Sequence, residues 1–231
     1  MRKKYQLQLL CIISILLVVA CATDDNATSK NFNSQNFSRA TNPITDNSPV
    51  QIGNQIWTTK NLNVTRYRNG DIIPQVQDPN LWSNLTSGAW CYYGNSTANG
   101  IIYGKLYNWY AVNDTRGLAP QGWHIPSDSE IVTLMTFLGG GTNAGGPMKA
   151  TVLWNIPNVG ATNSSGFTGF PGGNRRDDGQ FANINISGIW WNSNSVVSTQ
   201  AKNFSLAWSN GYLSRQSNHK RYGISVRCIK D

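Results

Sequence analysis

The sequence predicts a single α+β domain of short strands, and three observations support this prediction. Charged residues make up only 13% of the 231 residues, and Glu130 is the sole Glu, whereas helix bundles and coiled coils need Glu and Lys in quantity. Aromatic residues make up 11% of the chain, a content that argues against disorder for most of its length. Several short stretches alternate apolar and polar residues as half-buried strands do, and another has the spacing of an amphipathic helix.

The first 20 residues have the features of an export signal. Three cations at residues 2–4 precede an apolar run at residues 9–20, which is shorter than the roughly 20 residues needed to cross a bilayer. Small residues then precede Cys21, an arrangement that resembles the bacterial lipobox, in which the cysteine is diacylated and becomes the mature N-terminus. Several acyl chains on one residue suffice for stable membrane anchoring. The alternative is a plain signal peptide that happens to contain Cys21.

Charge and composition after the signal bear on location and partners. The chain beyond residue 20 has 16 Lys and Arg against 11 Asp and Glu, a net charge of +5, without a dense basic stripe that would indicate nucleic-acid binding. Residues 21–49, the lipidated Cys21 and a polar stretch, predict a flexible tether. Asp24 and Asp25 resemble the acidic tag of surface lipoproteins in Bacteroidetes-type bacteria. We therefore expect a lipid-anchored outer-membrane protein facing the cell exterior, with the periplasmic face as the alternative.

The domain predicted for residues 50–231 begins with strand signals. Residues 51–57 predict two short strands around a turn at Gly53 and Asn54, and residues 62–67 alternate as a further strand would. Tyr103, Leu106, Tyr107 and Tyr110 have the spacing of one helix face, which predicts a buried helix within residues 101–112.

The clearest local signal predicts a helix at residues 126–138. Ser127 and Glu130 form a capping box, and an apolar stripe followed by three glycines completes the pattern. We expect Glu130 to cap the helix rather than to act in catalysis. Strand-like runs follow at residues 188–191, 204–208 and 223–229, the last of which predicts an inner strand near the C-terminus.

The order of these segments resembles a known family of exported bacterial domains, the Fibrobacter succinogenes major paralogous domain. The resemblance rests on residues 52–57, 60–64, 103–112, 122–127, 171–175, 190–193 and 223–228. It implies a C-type-lectin-like fold with short mixed and antiparallel strands, two flanking helices and a long irregular loop region that carries any binding site. The last segment also resembles the end of sulfatase-modifying enzymes that share this fold, but a shared fold does not transfer a function.

Two cysteines remain once the signal is removed and Cys21 carries lipid. In an exported protein, Cys91 and Cys228 predict a disulfide, with two buried free thiols as the alternative. A sulfatase-modifying activity would need a nearby pair of reactive cysteines, which a disulfide would remove. No hydrolase constellation is evident, because His124 and His219 are the only histidines and His124 is expected to make a structural hydrogen bond.

Candidate ligand residues lie in the second half of the chain. Asn192 and Ser193 match only part of a lectin calcium motif, so no metal or other cofactor is predicted and calcium stays a weak alternative. Asp177 and Asp178, beside Arg175, either contribute to a cation site or form a polar turn. Trp190 and Trp191 are further candidates, because adjacent residues of a strand point to opposite faces and one ring would face outward to stack on a sugar. The alternative is that both rings are buried. Three amide side chains would form hydrogen bonds with the sugar: Asn192, Asn194 and Asn210.

These features predict a non-catalytic binding or adhesion domain on a lipid anchor, with glycan or surface polysaccharide as the ligand. A structural or protein-interaction module of the cell envelope is the alternative, and a sulfatase-modifying type of enzyme is a third possibility.

Overall fold

A computed structural model describes residues 48–231, in which short strands alternate with short helices. The predicted signal peptide, the Cys21 anchor and most of the tether lie outside these residues. The described part contains strands β1 (Val50–Ile52), β2 (Gln55–Trp57), β3 (Trp90–Cys91), β4 (Leu106–Tyr107), β5 (Trp123–His124), β6 (Gly172–Arg175), β7 (Phe181–Ile184), β8 (Ser187–Ser195), β9 (Gln200–Ala207), β10 (Leu213–His219) and β11 (Ile229–Lys230). It also contains helices α1 (Pro79–Ser83), α2 (Thr97–Tyr103), α3 (Trp109–Val112), α4 (Asp128–Phe137) and α5 (Gly145–Met148).

The strands form several small antiparallel sheets rather than one large sheet. A four-stranded sheet has the order β1-β2-β11-β5, a three-stranded sheet has the order β10-β9-β8, and two further sheets have two strands each. The described part of the chain is therefore mixed α and β, as predicted, but it contains five short helices instead of the two expected. None of the helices in residues 48–231 has the length and apolarity of a membrane-spanning helix.

Two local predictions are confirmed. Residues 50–57 form the β1–β2 hairpin, and Gly53 occupies its turn with a φ of 61°, a conformation that favours glycine. Ser127 caps α4 and forms the complete capping box with Glu130, while Gly139 and Gly140 end the helix region with positive φ. These two elements lie side by side and form the candidate site described below.

Two other predictions are wrong. Residues 62–67 contain only an isolated bridge from Arg66 to Ile72 and no ladder. The helix predicted within residues 101–112 is divided: α2 ends at Tyr103, Gly104 adopts a φ of 75°, and α3 starts only after Asn108 caps it. Gly104 separates α2 from β4, so Leu106 and Tyr107 lie in a strand. Tyr103, Leu106, Tyr107 and Tyr110 therefore do not share one helix, although their spacing fits one.

The C-terminal run is buried as predicted, but it joins sheets instead of forming a long strand. All residues from 223 to 229 are buried, yet only Ile229 and Lys230 form strand β11. Single bridges connect Gly223 to Arg175, Ile224 to Tyr107 and Ser225 to Trp190. Backbone groups of this segment therefore pair with β6, β4 and β8 in turn, because no single neighbour runs alongside it.

Aromatic residues dominate the interior. Two main apolar clusters lie on either side of β8, one around Trp191, Tyr107 and Trp109 and the other around Trp190 and its aromatic neighbours. In the second cluster the ring of Trp190 stacks on Phe204 at a centroid distance of 5.4 Å and meets Phe167 edge-on at 5.5 Å. Such arrangements satisfy the preferred geometries of aromatic pairs.

Buried cations hold the irregular segments in place. Four of them, none paired with a carboxylate within the described residues, are almost fully buried: Lys105, Lys149, Arg175 and Arg227. The ammonium group of Lys149 donates to the carbonyl oxygens of Val159, Ala207 and Asn210 at 2.7 to 3.0 Å. Irregular backbone leaves carbonyl groups without ladder partners, and buried carbonyls need donors. The buried Lys and Arg side chains supply them.

Candidate functional site

A broad, shallow groove, widely open to solvent, lies between the β1–β2 hairpin and the outer face of α4. Its volume is about 1000 Å³, and Phe137 contributes its aromatic wall. The ring of Phe137 lies over the hairpin turn, since a Cβ placed on Gly53 would be 3.0 Å from the ring. Phe137 is nevertheless 62% exposed, more than any other aromatic side chain in the described residues. The remaining lining residues are Gln51, Asn54, Val132, Thr133 and Thr136.

The polar groups of the groove are amides and hydroxyls. Gln51 donates to the carbonyl oxygen of Gly53 at 3.1 Å, and Thr133 donates to that of Ser129 at 3.1 Å, so each retains acceptor capacity. The side chains of Asn54 and Thr136 have no hydrogen-bond partner within residues 48–231. An exposed ring beside uncharged donors and acceptors is suited to a ligand with an apolar face and hydroxyl groups.

Long segments in the second half of the chain are poor in charge. Residues 131–148 and 150–174 contain no Asp, Glu, Lys or Arg, and Lys149 between them is buried. Residues 179–201 are likewise free of these residues. A large part of this half of the chain therefore offers no charge to a ligand.

The predicted outward tryptophan is not found. Trp190 and Trp191 do point to opposite faces of β8, but both faces are covered and both side chains have 0% exposure. The indole of Trp190 donates to Asn61 Oδ1 at 2.8 Å, and that of Trp191 donates to the carbonyl oxygen of Tyr107 at 2.9 Å. Neither ring can stack on a surface ligand in this arrangement, so the expectation of one outward ring is wrong.

The predicted amide ligands are engaged within the protein. Asn192 is fully buried and donates weakly to Asp128 at 3.4 Å, while Asn194 Oδ1 accepts from the backbone of Asp128 at 2.6 Å. Asn210 Oδ1 accepts from the backbone of Tyr212 in the β9–β10 turn. The structure therefore brings Asn192 and Asn194 together at the start of α4 and leaves Asn210 apart from them.

Asp128 is the centre of this polar cluster. Its carboxylate accepts two hydrogen bonds from the guanidinium of Arg215 and one from Lys202 at 2.6 Å. The hydrogen bonds from Arg215, followed by those from Lys202, lower the pKa of Asp128 below its usual value despite some burial. The cluster links α4 to strands β9 and β10, and its charged groups are already paired.

The predicted cation site at residues 175–178 is divided between interior and surface. Arg175 is fully buried and donates to the carbonyl oxygens of Val76, Gln77 and Gly179 at 2.7 to 2.9 Å, so it is unavailable to a ligand. Asp178 pairs with Arg176 at 3.3 Å and accepts from the backbone of Gln180, as in the polar-turn alternative. Asp177 lies in the same turn. Within residues 48–231, no group of three or more His, Cys, Asp and Glu side chains is placed to hold a metal ion.

The predicted disulfide is not formed. Cys91 packs with Trp82 and Leu106, whereas Cys228 belongs to the separate cluster around Tyr107, and both are free thiols. Burial raises the pKa of each thiol to about 12, which leaves both protonated at neutral pH. A protonated, buried thiol is a poor nucleophile.

His124 bridges α4 and the C-terminus. Its Nδ1 lies 2.7 Å from Asp231 Oδ1, and its Nε2 lies 2.9 Å from Glu130 Oε1. Partial burial alone would lower the pKa of His124, but the hydrogen bonds with Glu130 and Asp231 outweigh it and the pKa is raised. Glu130 thus serves both the helix cap and this bridge.

The stability that His124 provides should depend on pH. Because its pKa is raised on folding, its contribution is complete below the unfolded value of about 6.5 and is lost as the pH rises through the folded pKa. Both partners are partly exposed, so we expect less than about 1 kcal/mol. Urea unfolding of wild type and His124→Gln at several pH values between 5.5 and 8.5 measures this, and the difference in stability should shrink with rising pH. A difference that stays constant with pH would contradict the bridge.

Sequence patterns missed the groove, although one signal was present. The apolar stripe of α4 consists of Ile131, Leu134, Met135 and Leu138, and Phe137 falls outside it. An aromatic residue on the polar side of an amphipathic helix indicates an exposed ring. One buried cation had a signal too, because Arg227 lies within residues 223–229, the run that predicts an inner strand.

One family model matches most of the chain. Residues 50–230 match the family described as the Fibrobacter succinogenes major domain. No curated protein and no solved structure matched the chain significantly.

Proposed function

The chain belongs to the Fibrobacter succinogenes major domain family, and we propose that its domain is a non-catalytic binding or adhesion module for glycan or surface polysaccharide. The observation that carries this proposal is the exposed ring of Phe137 in a groove lined by amides and hydroxyls. The flat ring would pack against the C–H face of a sugar. Asn54, Thr136 and their neighbours would exchange hydrogen bonds with its hydroxyl groups.

The lining of the groove further defines the ligand class. None of its residues carries a charge, so a charged sugar would gain no ion pair and would lose hydration on binding. Calcium needs six to eight oxygen ligands, several of them carboxylates, and no residue that lines the groove has a carboxylate. The proposed ligand is therefore a neutral glycan that binds without a metal ion.

We propose an anchored location for this module. The export signal, Cys21 at the end of its apolar run and the polar residues 22–49 support a lipoprotein in which a tether separates the domain from the outer membrane. Asp24 and Asp25 favour display on the outer surface over the periplasmic face. Lipid is the membrane partner in this proposal, and glycan or a surface protein is the partner of the domain.

The arrangement of elements is also the basis for proposing a C-type-lectin-like fold. Strands from both ends of the domain pair, since β2 lies between β1 and β11. Between α4 and β6, residues 138–171 contain the short α5 and otherwise mostly irregular backbone. A lectin-like domain would have the same paired ends and a long irregular region.

Affinity electrophoresis of the mature chain with Cys21→Ser, through gels containing neutral and acidic polysaccharides, tests the proposal. We expect retardation by at least one neutral polysaccharide, unchanged by a calcium chelator. Phe137→Ala should raise the dissociation constant obtained from the retardation about tenfold, which corresponds to a loss of about 1.4 kcal/mol of binding free energy. Because the ring is mostly exposed, the stability of this variant should stay within about 0.5 kcal/mol of wild type.

Ile101→Ala is the matched control, because Ile101 is 86% exposed and lies outside the groove. It should migrate as wild type does in every gel. Equal retardation of wild type and Phe137→Ala would remove the groove from the proposal. Retardation lost on chelation would instead implicate a cation, with Asp177 and Asp178 the first residues to replace. Free migration in every gel would contradict glycan binding and favour a protein-interaction module.

A further inference from the structure

A second surface, apart from the groove, lies where the tether joins the domain. The described residues begin at Ser48, whose carbonyl oxygen accepts a hydrogen bond from Thr59 Oγ1 at 3.0 Å. Ser48 and Thr59 lie beyond the open end of the β1–β2 hairpin, whereas Gly53 and the groove lie at its turn. The tether predicted for residues 21–49 therefore enters the domain at the end of the hairpin opposite the groove.

Two clefts lie beside this junction, and the side chains of Lys60 and Asn63 line both of them. The larger cleft is partly open, has a volume of about 420 Å³ and includes Trp123 in its wall. The smaller cleft measures about 90 Å³ and is bordered by Ile101, which is 86% exposed, and Ile102, which is 43% exposed. These five residues, Lys60, Asn63, Ile101, Ile102 and Trp123, are termed the junction surface.

The polar groups of the junction surface are hydrogen-bond donors. Lys60 is exposed, and its ammonium group has no hydrogen-bond or ion-pair partner within residues 48–231. Asn63 Oδ1 accepts a hydrogen bond from the buried Lys105 at 2.5 Å, which leaves the side-chain nitrogen of Asn63 without a partner in the same residues. None of the described residues that line the two clefts is Asp or Glu. Donors without an acidic neighbour favour an anionic ligand.

Further cations lie around the larger cleft. Lys230 is exposed and pairs directly with Trp123 across strands β11 and β5, so both side chains emerge on the same face. Arg68 donates to the carbonyl oxygen of Trp123 at 3.3 Å, which holds its guanidinium at the same edge. The acidic side chains nearby in sequence already have partners, namely Asp71 and Asp114 with Arg116, and Asp231 with His124.

The combination of donors and aliphatic side chains indicates what the ligand is. A soluble anion would use Lys60 but would leave Ile101 and Ile102 uncovered, whereas an anionic lipid offers a phosphate to the cation and apolar groups to the isoleucines. Tryptophan, as at Trp123, is enriched at membrane interfaces. The lipid anchor proposed above, on which this inference rests, tethers the domain to a membrane from this end. We propose that the junction surface binds the phosphate groups of anionic lipids in that membrane.

Co-sedimentation of the mature chain carrying Cys21→Ser with lipid vesicles tests this contact. We expect binding to vesicles of phosphatidylcholine mixed with phosphatidylglycerol, and much weaker binding to vesicles of phosphatidylcholine alone. Lys60→Gln should weaken the binding about fivefold, the factor expected for one basic residue near an anionic surface. Ile101→Ser should also weaken it, because an aliphatic side chain is lost from the contact. Both side chains are exposed, so the unfolding midpoints should stay as in wild type.

Arg176→Gln and Ile156→Ser are the matched controls, because they remove the same charge and the same side chain at exposed positions that line neither cleft. Each should bind vesicles as wild type does. Equal binding of Lys60→Gln and Arg176→Gln overturns the proposal, and so does a wild-type chain that does not distinguish the two kinds of vesicle. Displacement of the protein from vesicles by inorganic phosphate, at constant ionic strength, would assign the surface to a free anion and would also overturn it.

This result is independent of the anchor and of the groove. The Cys21→Ser chain carries no lipid of its own, so its binding to vesicles reports on the junction surface alone. The mass of the native chain shows separately whether Cys21 is acylated. Phe137→Ala should bind vesicles normally, and Lys60→Gln should keep any glycan binding.

Discussion

Replacing Arg227 with Met is expected to destabilise the domain by about 3–5 kcal/mol, because a buried cation is removed from groups that depend on it. Arg227 has 0% exposure, and its guanidinium donates to Asn61 Oδ1 and to the carbonyl oxygens of Thr58, Phe167 and Thr168 at 2.6 to 2.9 Å. These acceptors come from two separate parts of the chain, residues 58–61 and residues 167–168. Met fills much of the volume but donates no hydrogen bond, so several buried oxygens would be left unpaired.

Guanidinium chloride unfolding measures this loss. Arg227→Lys keeps the charge but not the planar fork, so it should fall between wild type and Arg227→Met. Lys230→Met, on the exposed end of the neighbouring β11, is the control and should stay within about 0.5 kcal/mol of wild type. If Arg227→Met unfolded at the wild-type midpoint, the carbonyl groups would not need the cation and our account of the irregular segments would fail.

Replacing Trp190 with Ala is the second substitution with a large expected effect, about 3–5 kcal/mol, because it opens a cavity in the core. Trp190 has 0% exposure, stacks on Phe204 and meets Phe167 edge-on. Its indole also donates to Asn61, the same side chain that accepts from Arg227. The change therefore removes packing and one member of a buried hydrogen-bond network.

Denaturant unfolding distinguishes this structural role from a ligand-binding role. We expect a lower midpoint with an unchanged m-value, and Trp190→Phe should recover part of the loss because it retains an aromatic ring. An exposed tryptophan would give a change within about 0.5 kcal/mol. If Trp190→Ala changed the stability by no more than this and also bound glycan more weakly, the ring of Trp190 would face outward, and the burial described above would be contradicted.

Local sequence signals predicted the elements whose structure is decided locally. The capping box of Ser127 and Glu130 and the hairpin turn at Gly53 need only neighbouring residues, and both were predictable. The helix predicted within residues 101–112 failed because spacing cannot show that Gly104 adopts a positive φ and that Tyr107 bridges to Ile224. Contacts between residues over 100 positions apart decide that region.

The candidate site was less predictable than the fold. Adjacent tryptophans must point to opposite faces of a strand, but only the packing on both sides of β8 shows that neither ring of Trp190 and Trp191 is exposed. The sequence likewise gives no sign that Arg175 is buried, because the three carbonyl groups that accept its hydrogen bonds are brought to it by the fold. Phe137 was detectable in principle from its position on α4. Its groove requires the β1–β2 hairpin to lie alongside, which is a tertiary contact.

The most direct test of the central claim is to map the bound ligand on the protein. The mature chain with Cys21→Ser, labelled with ¹⁵N and ¹³C, would be titrated with a short oligosaccharide of the polysaccharide that retards it. We predict the largest chemical-shift changes at the groove, in the ring of Phe137, the side-chain amides of Gln51 and Asn54, and the backbone of Thr133 and Thr136. Changes concentrated at a different surface, with the Phe137 ring unaffected, would contradict the proposed site.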